Sequence, residues 1–313
     1  MKSLVTGVAG FIGSHLAEKL LAEGHEVVGV DNFLDNYPRS FKEKNLAACL
    51  GHARFEFVGA DLLTMDLKNL LDNVAYVFHL AGQPGVRSSW GREFSRYTEN
   101  NIMATQLLLE AAKDRRLAKF VYASTSSVYG DTDDLPMRED GGTRPISPYG
   151  ATKLAAEHLC QLYWRAFAVP TVSLRFFTVY GPRQRPDMFF HIFMRALILG
   201  EEVPLYDDGE QTRDFTYCSD IVDGIVGAAL CPVQGEVFNL GGGSEVSLLH
   251  AIAVAERIAG GTTKLRRFDR QTGDVRHTRA QLDQAKSKLG YSPKIGLEQG
   301  LAEQWKWISK LPD

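Results

Sequence analysis

The chain predicts an α/β protein: a doubly wound parallel sheet of the Rossmann type with a smaller α/β domain set against it. Three observations carry that expectation. Short apolar runs alternate with helical patterns through the first half. Gly7, Gly10 and Gly13 stand between the first run and the first helical stretch, and Asp31 closes the second run, 18 positions beyond the last glycine (31 − 13).

Taken in order, Ser3–Val5 reads as the first strand, Phe11–Ala22 as the first helix and Glu26–Val30 as the second strand. Ala75–Leu80, Thr98–Ala112 and Phe120–Ala123 continue as strand, helix and strand. Val27–Val30 and Tyr76–Leu80 are apolar nearly throughout, as in strands covered on both faces by helices. Such strands run parallel through right-handed crossovers, and ligands sit beyond their carboxyl ends. From about Phe177 the character changes, with Pro182, Pro186 and Pro204 among short strand and helix patterns. The expected division is 1–176 for a dinucleotide-binding domain and 177–313 mainly for a second domain, with some segments free to return to the first. No linker, repeat or low-complexity tract separates them, so a cleft between packed parts is expected.

At 313 residues the chain is long enough for a sizeable core. A net charge of −3 supplies no basic field for nucleic acid or an anionic membrane. MKSLVTG lacks the layout of a signal peptide, and no apolar run reaches the ~18 residues of a membrane span. Cys49, Cys160, Cys218 and Cys231 form no CxxC pair and have no interleaved histidines, so no metal site is expected. They read as buried, reduced thiols of a cytoplasmic protein.

In TGVAGFIGSHL the glycines are spaced GxxGxxG, where GxGxxG is usual. Glycine there permits the tight turn, close approach of a pyrophosphate and helix–strand packing, while the helix N-terminus supplies positive potential. A carboxylate at Asp31 accepts both adenosine-ribose hydroxyls and repels a 2′-phosphate, which favours NAD; Arg39 nearby is the feature that favours NADP. A second cluster, Gly241–Gly243, has no acid at the right distance and reads as a loop ending in a helix capped by Ser244.

Tyr149 and Lys153, in YGATK, lie four positions apart and share one helix face. A nearby ammonium favours a phenolate, which lets tyrosine act as a base near neutrality. Ser124–Thr125–Ser126–Ser127 follows the strand Phe120–Ala123, at the end where this architecture places its chemistry.

Together, TGVAGFIGSHL, Asp61–Leu62, LAG at Leu80–Gly82, YASTSSVYG and YGATK resemble the extended short-chain dehydrogenase/reductase family, specifically its nucleotide-sugar epimerases and dehydratases. RFFTVYGP at Arg175–Pro182 and RDFTY at Arg213–Tyr217 extend the resemblance over nearly the whole chain. It implies Thr125, Tyr149 and Lys153 as a catalytic trio. Besides the glycines, it implies NAD contacts at Phe11, Ile12, Asp31, Asn32, Asp61, Leu62, Leu80, Ala81, Gly82, Asn100, Tyr149, Lys153 and Phe177. Family members commonly dimerise, which implies a homodimer through Thr98–Ala112 and Tyr149–Phe167.

Dehydratases of the group resemble STDEVYG and UDP-glucuronate decarboxylases STSEVYG; here Ser126 and Ser127 stand where those acids would be. Elimination then lacks its acid and base, whereas inversion at C4 needs no third acid–base group. The stretch Arg175–Met188 resembles the UDP-glucuronate 4-epimerases more than the UDP-glucose ones. That implies Arg185 at the sugar carboxylate, with Thr125, Ser126, Ser127, Tyr149 and Thr178 around the sugar, Arg87 at the cofactor–substrate junction, and Arg213 and Arg276 on the diphosphate. Open alternatives are a phosphate contact at Arg185, surface ion pairs at Arg213 and Arg276, a 4-epimerase of UDP-glucose or UDP-N-acetylglucosamine, a decarboxylase, and an NAD sensor without catalysis.

Overall fold

The structure, a computed structural model, describes residues 1–311. Its first half runs β1 (Lys2–Thr6), α1 (Phe11–Ala22), β2 (Glu26–Val30), α2 (Arg39–Leu46), β3 (Phe55–Val58), α3 (Leu67–Leu70), β4 (Tyr76–His79), α4 (Phe94–Tyr97), a π-helical stretch (Thr98–Met103), α5 (Ala104–Ala112), β5 (Lys119–Thr125), α6 (Pro148–Phe167) and β6 (Thr171–Phe176). The second half adds β7 (Thr178–Tyr180), α7 (Phe189–Leu199), β8 (Val203–Tyr206), β9 (Thr212–Arg213), β10 (Phe215–Tyr217), α8 (Cys218–Leu230), β11 (Glu236–Leu240), β12 (Val246–Ser247), α9 (Leu248–Ala259), β13 (Leu265–Phe268), α10 (Asp283–Leu289) and α11 (Leu297–Ile308).

Seven parallel strands form the main sheet in the order β11-β6-β5-β4-β1-β2-β3. The order reverses between β1 and β4, which opens a crevice at their carboxyl ends. Leu4 and Val5 of β1, Val77 of β4 and Phe120 of β5 are wholly buried, so helices do cover both faces. Residues 236–240 of β11 return to this sheet beside β6. The smaller part consists of two-stranded ribbons, β10 with β7, β12 with β9 and β13 with β8. α7, α9 and α11 pack on them around Tyr180, Phe190, Phe193, Phe215 and Leu301.

Two local expectations change. The helix read over Thr98–Ala112 is divided: the π turn at Thr98–Met103 precedes α5, and the buried Asn101 amide within it bonds both backbone groups of Gln83. The helix after the second glycine cluster starts at Leu248, so its cap is Ser247, which accepts the His250 N–H at 3.2 Å, and not Ser244. α6, by contrast, begins where the sequence places it, with Ser147 accepting the Gly150 N–H at 3.1 Å and Pro148 at the first helical position. All four cysteines are free and buried. Among the described residues, no helix is long and apolar enough to cross a membrane and no cluster of ligating side chains could hold a metal.

Candidate active site

A cleft of about 1190 Å³, open to solvent, follows the carboxyl ends of β1, β2, β4 and β5. Its floor is the loop from β1 into α1. Gly7 has φ +70°, and a Cβ there would stand 2.8 Å from Ala81 N; a Cβ on Gly13 would lie 2.2 Å from Gly7 O. The two glycines thus let α1 seat its N-terminus directly on the loop, with Gly10, Phe11 and Ile12 in the cleft wall.

Asp31 directly follows β2, with each carboxylate oxygen on a backbone N–H: Ala9 at 3.1 Å and Phe33 at 2.8 Å. Burial pushes its carboxyl up, while those two N–H groups and the Lys42 ammonium pull it back. Each oxygen retains acceptor capacity for a ribose hydroxyl. The cation acting on Asp31 is Lys42, which donates to Leu34 O at 2.6 Å and lies over the Tyr37 ring; Arg39 is exposed and paired with Glu43 at 2.7 Å. Asn32 donates to Asp61 at 3.1 Å, tying the ends of β2 and β3, and Asp61, Leu62, Leu80, Ala81, Gly82 and Asn100 complete the wall. A glycine cradle that any Cβ would fill, followed by an acid fixed for a diol, fits NAD. Phe177 does not reach this cleft. It is 3 % exposed in the core against Tyr129, while Phe176 lines the wall, because successive residues of an extended segment point to opposite sides.

Tyr149 and Lys153 enter the same cleft from the head of α6, the Tyr149 ring meeting Tyr97 edge-on at 6.3 Å. Burial pushes the Tyr149 phenol up, opposed by a hydrogen bond from Thr125 and by the charge of Arg185. Burial also brings the Lys153 ammonium down to about 7, against the pull of Cys160 and Glu157, and its Nζ lies 4.3 Å over the Tyr122 ring. The groups that favour the Tyr149 phenolate are thus Thr125 and Arg185, and not Lys153 as its spacing on the helix predicts. Thr125 ends β5, accepts the Ser127 N–H at 3.2 Å and donates to the Ser127 hydroxyl at 3.3 Å. Ser126 and Ser127 start a tight turn there, with hydroxyls and no carboxylate.

Arg185 lies in the cleft wall, with Nε and Nη2 each 3.0 Å from Asp187. Of the other predicted arginines, Arg213 and Arg276 line a small recess between β8 and the 270–276 loop, and Arg87 contacts two of its lining residues. There Arg213 donates to Thr212 O and Arg276 O, Arg276 is held by Asp207 and Asp208, and Arg87 stacks on Tyr206 at 4.0 Å while paired with Asp274 at 2.7 Å. Thr178 opens β7, its N–H on Asp214 O at 3.1 Å. Sequence reasoning missed Gln83, Tyr37, Lys42 and Phe176 in the cleft and Tyr206 and Arg270 at the recess. Gln83 was legible in part, since it adjoins Leu80–Gly82; its buried Oε1 has no partner within the protein.

This is a dinucleotide-binding fold with a tyrosine–lysine pair at its switch point, the arrangement of a hydride-exchanging enzyme. A family model described as the NAD dependent epimerase/dehydratase family matches residues 3–241, and the chain belongs to that family. It is 46% identical over 313 residues to the uncharacterized UDP-glucose epimerase YtcB of Bacillus subtilis (strain 168), covering 99% of each. A UDP-glucuronic acid 4-epimerase from Bacillus cereus, solved with UDP-glucuronic acid and NAD, superposes with a TM-score of 0.97 at 44% identity over 99% of both chains. MoeE5, solved with NAD and either UDP-glucose or UDP-glucuronic acid, superposes with a TM-score of 0.90 at 41% identity, again over 99% of both chains.

Proposed function

We propose that this chain is an isomerase that interconverts UDP-glucuronate and UDP-galacturonate by inversion at C4 through a 4-keto sugar. The observation that carries the reading is Arg185: it lines the cofactor cleft and its charge acts on Tyr149, so one cation serves the place where a uronate carboxylate and the reacting hydroxyl meet. Tyr149 accepts the 4-hydroxyl proton and later returns it, and Thr125 hydrogen-bonds the same oxygen. Lys153 orients the nicotinamide ribose and contributes positive charge beside Tyr149. NAD supplies a reversible hydride acceptor and leaves the cycle unchanged, so no outside oxidant is consumed. Arg87, Arg213 and Arg276 hold the diphosphate at the recess. The Ser126 and Ser127 hydroxyls, with Arg185, keep the β-keto acid carboxylate out of the orientation that loses carbon dioxide.

One observation favours a neutral sugar: Asp187 already neutralises Arg185 through two 3.0 Å contacts. YtcB carries a UDP-glucose name, which supports the same alternative. Incubating the purified protein with UDP-glucuronate, UDP-glucose and UDP-N-acetylglucosamine, without added cofactor, separates them; NMR of the products is expected to show C4 inversion of the first. Inversion of UDP-glucose alone overturns the uronate assignment. We further propose a homodimer, supported by Met103, Leu162 and Phe167, which expose apolar surface along the π turn and α6, and a cytoplasmic location, supported by four free, buried cysteines.

A further inference from the structure

Glu157 lies on α6 eight positions after Tyr149 and four after Lys153, on the same helix face. It is 1 % exposed and belongs to no wall of the cleft. Its carboxylate nevertheless gathers three elements. Oε2 accepts the Ser124 hydroxyl at 2.8 Å and Arg175 Nε at 3.1 Å, while Oε1 accepts Arg175 Nη2 at 2.6 Å. Ser124 and Arg175 are register partners across β5 and β6, and the next pair in the register is Thr125 with Phe176. The strand ends that bring Thr125 to Tyr149 and Phe176 to the cleft are therefore fastened to the helix carrying Tyr149 and Lys153 through one carboxylate.

A buried ion pair is a poor way to gain stability, because desolvating both charges offsets most of their attraction. Arg175 is correspondingly not a substrate arginine: it is 4 % exposed, stacked 4.7 Å over Tyr129 and bonded to Glu139 O. The placement makes sense electrically. Lys153 faces Glu157 and Cys160 from α6, Tyr122 from β5 and His79 from β4. Burial keeps His79, Cys160 and Tyr122 neutral near pH 7, while Glu157 is held by Arg175 in a two-point ion pair.

We propose that Glu157 is a positioning residue of the active site: through Ser124 it fixes the end of β5 that carries Thr125, and four positions after Lys153 on α6 it places a carboxylate on that residue's helix face. This rests on the reading of Tyr149 and Lys153 as the reacting pair, but its test does not require the substrate to be known.

In the NAD-bound protein with carbon-13 at lysine Cε, the Lys153 resonance, assigned from Lys153→Arg, is titrated by NMR. Glu157→Gln is expected to lower the pH at which Lys153 loses its proton by about one unit, because removing an anion disfavours the ammonium. Glu157→Asp, which keeps the charge, is expected to stay within a few tenths of the parent. Glu157→Gln/Arg175→Gln, which strands no unpaired charge, is expected to fall between them, and it decides the matter if the single variant does not fold. A Lys153 titration unmoved in the neutral variants, or moved as far by Asp as by Gln, overturns the proposal. Ser124 also lines the cleft, so the Ser124 limb is read by a double-mutant cycle: Ser124→Ala and Glu157→Gln are each expected to lower turnover on UDP-glucuronate ~10-fold, with no further loss when combined, and additive losses or unchanged turnover remove that limb. Failure of the parent to turn over any UDP-sugar would count against the functional reading, while the Lys153 titration would still decide this one.

Discussion

The cofactor cleft and the recess proposed for the diphosphate are built by different physics. In the cleft the binding groups are backbone, or side chains fixed by backbone: glycines whose Cβ would collide with the next turn, and an aspartate pinned by two N–H groups. In the recess they are long side chains on loops, and each arginine that reaches a carboxylate already has one: Arg87 on Asp274, Arg270 on Asp131, Arg276 on Asp207 and Asp208. A ligand entering the cleft meets an arrangement set during folding, whereas a diphosphate at the recess would find Arg213 on backbone carbonyls and would have to take Arg87 and Arg276 from aspartates. The first region suits a cofactor that stays, the second a substrate that must leave.

The largest expected effect lies on the rigid side. Tyr149→Phe should retain NAD after gel filtration yet lose turnover by ~1000-fold or more, because on the proposed reading the Tyr149 phenolate takes the proton of the sugar 4-hydroxyl. Near-parental turnover in that variant would separate the cleft from the chemistry altogether.

Arg185 stands between the two regions, in the cleft wall but paired like a recess arginine. Losing a bidentate contact costs on the order of 2–3 kcal/mol, so Arg185→Ala should slow epimerisation of UDP-glucuronate ~30–150-fold. The released β-keto acid should also lose carbon dioxide, giving UDP-linked 4-keto pentose or UDP-pentose detectable by mass spectrometry. Weaker UDP-sugar binding with unchanged products would assign Arg185 to the recess as a phosphate contact.

This division also explains what could be read from the sequence. Glycine spacing and a terminal acid are written in consecutive residues because the backbone imposes them, so α1, β2 and the place of Asp31 were legible residue by residue. Tyr149 and Lys153 were legible because one helix carries both. The π turn was not, since it answers to Asn101 reaching Gln83 across 18 positions, and neither was the Phe176–Phe177 alternation at the end of β6. The aspartates that hold Arg87 and Arg276 lie 187 and 68–69 positions away, and no local pattern announces such partners.

A site should cost stability where it buries charge. Burial brings Lys153 down to about 7, so the unfolded chain holds that proton more tightly than the folded one. The resulting destabilisation is full below pH ~7 and fades as pH rises toward ~10.4, the ordinary lysine value. Nucleotide-free Lys153→Met should therefore melt a few degrees above the parent at pH 7 while being inactive, and the difference should vanish near pH 10. A difference independent of pH would mean that packing, not the buried charge, sets it.

The smallest effect belongs to the recess. Arg276 meets Asp207 at 2.9 Å and Asp208 at 2.8 Å with its side chain partly in solvent, so a phosphate replaces contacts that already exist and gains little net attraction. Arg276→Ala should raise the KM for the UDP-sugar only ~3–10-fold, with kcat within about twofold of the parent and NAD content unchanged. Part of that rise comes from Asp207 and Asp208, which then face the diphosphate without a counter-charge. Asp208→Asn removes one competitor and should lower the KM, and added salt should shrink both effects because the groups are exposed. If Arg276→Ala instead abolishes turnover at saturating substrate, the recess is as preorganised as the cleft, and its ion pairs are part of the catalytic geometry rather than a reservoir of exchangeable cations.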